Sequence, residues 1–159
     1  MTICFEPIGL IRTPFTAARG MPIQPAGAAD IRGTVEIFKE YSEGLKDLDG
    51  FSHIILIYHF HKTQAAKLIV TPFLDTLSHG VFSTRAPSRP NPIGLSVVRL
   101  LKVEQNILHI EDVDMLNDTP LLDLKPYVPE FDQHTGARTG WLKGAKGRVR
   151  NRKSDDRFI

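Results

Sequence analysis

The chain has 159 residues, 42% hydrophobic and 24% charged, which fits one domain with a buried core but not two. Its formal charge is only +2, and its longest strongly apolar stretch, Phe51 to Phe60, is broken by Ser52, His53 and His59, so no membrane span is expected. Glu6, Pro7 and Arg12 interrupt what a secretory signal needs to keep apolar, and the single cysteine, Cys4, excludes an intramolecular disulfide or a multi-thiolate metal site; a reducing cytoplasm is expected.

In chain order, Phe5 to Ile11 predicts a first strand, with Pro7 near its start suiting an edge. Arg12 to Ile31 holds Pro14, Gly20, Pro22, Pro25 and Gly27 and predicts a long loop, of a length that is usually functional or disordered. Gly33 to Phe38 alternates as a strand does. Tyr41, Leu45 and Leu48 recur at helical spacing and predict one short helix ended by Asp49-Gly50. Phe51 to Phe60 is β-rich and nearly continuous in apolar character, as a central strand should be. Further strands are predicted at Lys67 to Thr71, Gly80 to Thr84, Gly94 to Val103 and Ile107 to Val113. Many short strands between Pro/Gly turns predict an all-β barrel or sandwich.

The small net charge conceals a division. Residues 1–137 sum to −4 and residues 138–159 to +6. Arg138, Lys143, Lys146, Arg148, Arg150, Arg152 and Lys153 run without an acid between them, interleaved with glycines and Trp141. With almost nothing apolar to bury, this segment predicts a basic tail of 138–159 attached to a domain of 1–137. Such a tail either contacts phosphates or is a solvated extension, and Trp141 either stacks on a base or pins the tail to the body.

Four segments carry candidate chemistry. Ser83 to Gly94 holds Pro87, Pro90 and Pro92, which fix φ and stiffen the loop that presents Arg85 and Arg89. Stiffly displayed guanidinium groups suit a carboxylate or phosphate. Gln24, between Pro22 and Pro25, offers an amide donor and acceptor at a fixed place. In His59-Phe60-His61 the period of two puts both imidazoles on one face, but no Asp, Glu or Cys lies near enough in sequence to complete a ligand set, so strand-end polar contacts are expected and no metal. The fourth segment runs from Asp114 to Pro120 and on through Leu121 to Tyr127; its Asn117-Asp118-Thr119-Pro120 is turn chemistry whose spare oxygens suit a turn alone or an adenine edge and ribose hydroxyls. The glycine pattern of dinucleotide folds, the phosphate loop and the zinc-protease helix are all absent, and Ser96 in Gly94-Leu95-Ser96-Val97-Val98 is no nucleophile elbow.

Five segments in order, Phe5 to Ile11, Pro22 to Pro25, Leu48 to His53, Val81 to Arg85 running into Arg89-Pro90-Asn91-Pro92-Ile93-Gly94, and Asp123 to Tyr127, carry a resemblance. Over about residues 5–130 the chain resembles the TsaA-like (TrmO-type) family of S-adenosylmethionine-dependent tRNA methyltransferases. The resemblance implies a single-sheeted β-barrel with short helices and long loops, a homodimer, and methylation of N6 of threonylcarbamoyladenosine next to the anticodon. It also implies S-adenosylmethionine contacts at Gln24, Pro25, His61, Lys62, Arg85, Leu95, Asn117, Asp118, Thr119 and Pro120. Lys62 stands where family members often have Gln, and Asp118 where they often have Gly, which changes the backbone angles that are cheap there.

Arg89, Asn91, Arg138, Trp141, Lys143, Lys146, Arg148 and Arg150 are the candidate contacts to RNA. Because a sulfonium methyl is already activated, alignment alone supplies much of the catalysis, and His61 or Asp118 is the candidate base if the reaction uses one. A non-catalytic RNA-binding barrel and a methyltransferase for a small molecule remain the alternatives.

Overall fold

Along His53–His59 (β3) the side chains of Ile54, Leu56 and Tyr58 point inward and are buried, while the residues between them are partly exposed. This strand is the centre of the protein's structure, a computed structural model that describes every residue except Lys146, Val149 and Ile159. Gly9–Arg12 (β1), Arg32–Ile37 (β2), β3, Ile93–Glu104 (β6), Ile107–Glu111 (β7) and Thr119–Pro126 (β8) close an antiparallel barrel in the order β1-β2-β7-β6-β3-β8. Closure removes the exposed edges that an open sheet leaves. Ile69–Val70 (β4) and His79–Gly80 (β5) form a separate two-stranded sheet.

The barrel is filled by Ile11, Val35, Ile54, Leu56, Val98, Leu108, Ile110 and Leu121, all fully buried. Each such side chain contributes about 1.5–3 kcal/mol of burial free energy. A second, smaller cluster of Val70, Val81, Ala86 and Phe158, packed by Phe73, lies under the 60–92 excursion that joins β3 to β6. Among the described residues, no helix is long and apolar enough to cross a membrane.

The barrel bears out the predicted all-β class, with three differences in detail. β8 is a strand that the sequence pattern does not predict. Pro120 and Pro126 mark its ends as turns, and a bulge interrupts its alternation, because Tyr58 and Ile57 pair with Leu121 and Asp123 and leave Leu122 over. The predicted helix at 41–48 is instead two 3-10 turns, Lys39–Leu45 and Leu48–Gly50, separated at Asp47, whose φ of 66° breaks the helical run. The expected strand at 80–84 is a 3-10 turn, Val81–Ser83, after β5, and that at 67–71 shrinks to β4.

The basic segment lies against the body, with Trp141 as one of its pins. Trp141 donates its indole N–H to the Ser83 carbonyl at 2.8 Å and stacks on His79 with ring centroids 4.6 Å apart. Ser154 exchanges backbone hydrogen bonds with Gly20 and Met21. Arg157 grips Asp155 and the Pro72 carbonyl, and Phe158 is buried edge-on to Phe73 at 5.0 Å. Trp141, Ala145 and Phe158 supply the apolar content that the segment's charge conceals.

Candidate active site

One end of the barrel opens into a cavity of about 880 Å3 between the 13–31 loop, the 60–92 excursion, the 114–119 turn and the C-terminal segment. That volume suits a ligand of nucleoside size or larger. The proline-stiffened loop forms one wall, held by its own backbone: Arg89 N bonds Pro87 O at 2.8 Å, Ile93 N bonds Asn91 O at 2.7 Å, and Phe60 N bonds Pro92 O at 2.8 Å. Its two arginines behave differently. Arg89 folds back, donating Nη1 to the Thr84 and Ala86 carbonyls at 3.2 and 3.3 Å, and so braces the loop. Arg85 reaches across 61 positions of sequence to donate Nη1 to Gln24 Oε1 at 3.0 Å, which joins two of the candidate segments at the cavity rim.

His61 follows the end of β3 and also lines the cavity. Its Nδ1 lies 3.5 Å from Thr119 Oγ1, and its buried Nε2 has no hydrogen-bond partner among the described residues, as is also true of Thr63 Oγ1. Burial foremost, then the charges of Lys62 and His59, holds the imidazole below its ordinary pKa, so it is neutral at pH 7. An orphaned polar nitrogen beside a cavity is a natural contact for a ligand. His59 does not line the cavity.

Of the expected site residues, Gln24, His61, Lys62, Arg85, Arg89, Asn91, Leu95, Thr119 and Trp141 do line it, with Phe82, Ile93 and Leu95 as an exposed apolar rim. Pro25, Asn117, Asp118 and Pro120 do not. Pro25 opens the 3-10 turn Pro25–Gly27. Asn117 sews its turn to the 13–15 segment, accepting from Thr13 N at 3.1 Å and donating its own N–H to Phe15 O at 2.7 Å. Pro120 is the second residue of β8. Arg138, Lys143, Arg148 and Arg150 are exposed and off the cavity wall, and no ion pair among the described residues uses them. Lys146 lies outside the described residues.

Asp118 is bound to Arg12 and takes a φ of 63°, the left-handed conformation for which glycine is the cheapest residue. Asp is among the few other residues that visit it readily. Asp118→Gly is therefore expected to leave stability within about 1 kcal/mol of wild type, and Asp118→Val to lower it by about 1–2 kcal/mol, measured by urea unfolding.

A family model of the tRNA-methyltransferase O N-terminal domain matches residues 10–133. The chain belongs to this family. A probable S-adenosyl-L-methionine-binding protein of Pyrococcus abyssi is 55% identical over 159 residues, covering 100% of this chain and 86% of that protein. The human tRNA (adenine(37)-N6)-methyltransferase is 38% identical over 134 residues, 80% of this chain and 30% of that protein. The crystal structure of TrmO from Pseudomonas aeruginosa superposes with a TM-score of 0.74 at 40% identity, over 89% of this chain and 63% of that one. The chain thus spans less than two thirds of that TrmO chain's length.

Sequence reasoning gave no role to three polar residues of this family member's cavity region, although Asp114 opens one of the candidate segments. Tyr58 and Asp114 line the cavity, and Ser96, buried behind them, joins the two. Their signal was available in part, since Ser96 is the one hydroxyl on the buried face that Gly94, Val98 and Leu100 share with it.

Proposed function

We propose that this protein is an S-adenosylmethionine-dependent methyltransferase that methylates N6 of threonylcarbamoyladenosine beside the tRNA anticodon, as a homodimer in the cytoplasm. The observation that carries the reading is the convergence of Gln24, His61, Arg85 and Thr119, from four separate segments, on one cavity in a chain of this family. The residues fit the cofactor. Its carboxylate suits the Arg85 guanidinium that Gln24 steadies, and its adenosine suits the wall of Met115, Leu116 and Thr119 with the unpartnered His61 Nε2. When bound it supplies an activated methyl group. The protein's part is to hold the acceptor nitrogen in line with that group and to exclude water, which the apolar rim of Phe82, Ile93 and Leu95 favours.

The exposed cations of the C-terminal segment lie off the wall of the cavity that Trp141 helps to line, and their charge suits the phosphates of a bound tRNA. Changing Lys143, Arg148 and Arg150 together to Gln is expected to lower tRNA affinity and to reduce the slope of log affinity against log salt by about one for each phosphate that is no longer neutralised. Calorimetric affinity for S-adenosylmethionine should stay unchanged, because these side chains are off the cavity wall. Unaltered tRNA binding would remove the segment from the RNA interface. The function itself is tested by mass spectrometry of nucleosides from tRNA incubated with the protein and methyl-labelled cofactor. One labelled methyl on threonylcarbamoyladenosine is expected; cofactor binding with no label in tRNA overturns the reading.

A further inference from the structure

A polar side chain at an inward position of a small barrel needs partners. Ser96, 1% exposed on β6, has two. Its Oγ lies 3.0 Å from the buried Tyr58 hydroxyl and donates a hydrogen bond of 2.7 Å to Asp114 Oδ1. Because Ser96 gives its proton to the carboxyl, it is left to accept from Tyr58, and the three groups form a chain of donors aimed at Asp114. Asp114 lies between β7 and β8, on the cavity wall shared with Arg85 and His61. Stability alone does not call for this arrangement, since apolar residues at all three positions would avoid desolvating a hydroxyl, a phenol and a carboxyl together.

We propose that Asp114 accepts the proton lost in the methyl transfer and that Ser96 and Tyr58 position it; the proposal rests on the methyltransferase reading above. The lone pair of the acceptor nitrogen forms the new N–CH3 bond as the S–CH3 bond breaks, and the pair of that broken bond stays on sulfur as a neutral thioether. The N–H proton passes to the Asp114 carboxylate, giving a carboxylic acid that later releases it to water. Nothing is oxidised or reduced. The acceptor lone pair is delocalised into the purine ring and the carbamoyl group, so removing the proton as the bond forms supplies the nucleophilicity that the neutral nitrogen lacks.

The other carboxylates of this region are otherwise engaged, and His61 Nε2 faces the adenosine in the reading above. Asp155, also on the cavity wall, is bound by Arg157, which holds it below the usual carboxylate range. Asp118 is bound to Arg12 off the wall. Burial pushes Asp114 up to about 7, against the opposing pull of Ser96 and Arg85, which lets it take up and release a proton near neutral pH. The titratable and charged groups that face it are Tyr58 from β3 and Arg85 from the 84–92 loop; β6 contributes the Ser96 hydroxyl. Burial and the Asp114 charge push Tyr58 up, so it remains a neutral donor throughout.

Asp114→Asn keeps the shape and an oxygen to accept from Ser96. Its turnover on tRNA is expected to fall by about 100-fold or more, while the calorimetric Kd for S-adenosylmethionine stays within about threefold. The wild-type rate should rise with pH through about 7 and then level, because the ionised carboxyl is the active form. Ser96→Ala removes a donor that favours that form, so the acidic limb should move to higher pH with Kd unchanged. A merely structural role for Ser96 would lower the rate without moving the limb. Near-normal turnover by D114N overturns the proposal, as does an equal loss of turnover and cofactor affinity or an unmoved limb in S96A; if D114N fails to fold, S96A decides. Wild-type protein that binds the cofactor but methylates no tRNA removes the methyltransferase reading and this proposal together, whereas turnover by D114N removes this proposal alone.

Discussion

Replacing Arg85 with alanine is expected to reduce methyl transfer about 100- to 1,000-fold, the equivalent of about 3–4 kcal/mol, and to leave thermal stability almost unchanged. The two halves of that expectation have different causes. For stability, Arg85 is exposed, and its hydrogen bond to Gln24 Oε1 at 3.0 Å links two side chains at a rim open to water. Such bonds contribute less than about 1 kcal/mol. For function, the guanidinium is presented by a loop whose prolines and backbone hydrogen bonds leave little freedom to lose on binding, while Arg89 turns inward to brace that loop. An anionic group held at Arg85 inside a cavity is largely desolvated, and losing its charge-assisted partner there is expensive. Arg85→Lys should recover only part of the activity, since an ammonium cannot offer two parallel donors. Calorimetry with S-adenosylmethionine and single-turnover methylation of tRNA measure the effect. Wild-type activity in R85A would take Arg85 out of the site.

The contrast between Arg85 and Arg89 also marks how far sequence reasoning reaches. Three prolines make the loop's stiffness legible, but which arginine faces the cavity depends on the carbonyls of Thr84 and Ala86, whose direction no periodicity reveals. β2, β3, β6 and β7 are legible within two residues at either end, β2 by its alternation and the others as runs rich in apolar and β-branched residues between turn signals. β8 is not, because the bulge at Leu122 shifts the period partway along it. The cavity lining is legible wherever a motif presents its groups locally, as at Gln24 and Arg85. It is opaque wherever a group works through tertiary contact. Asp118 has the sequence neighbours of a ligand contact, yet Arg12 takes its carboxylate. Asp114, four residues earlier, gives no local signal of its role because its partner Ser96 is 18 positions away on another strand. Likewise the C-terminal segment reads as a tail because its charge dominates its composition, while Trp141 and Phe158 each find an aromatic partner only once the 60–92 excursion is folded.

Gly94→Ala is expected to destabilise the protein by about 1–3 kcal/mol, lowering the melting temperature by about 2–4 °C for each kcal/mol, and to impair methyl transfer beyond what the stability loss explains. Gly94 pairs with Tyr58 across β3 and β6, and the tyrosine ring lies over it. An added methyl would stand 2.3 Å from Tyr58 Cε2, 2.5 Å from Cζ and 2.9 Å from Phe60 Cζ. The ring has nowhere near to go. It is buried, edge-on to Phe60 with centroids 5.4 Å apart, and tied through its hydroxyl to Ser96. Either the ring leaves its place or the two strands part, and both outcomes break the Tyr58–Ser96–Asp114 chain beside the cavity. Leu95→Ala, one residue on and facing outward at 48% exposure, should melt close to wild type and so serves as the control. Tyr58→Leu in the G94A background should restore part of the stability by vacating the space the methyl needs, so the two changes together should destabilise less than the sum of each alone. The same double variant should not recover methyl transfer, because leucine cannot donate to Ser96. Additive destabilisation would mean that the methyl and the ring do not compete for one space.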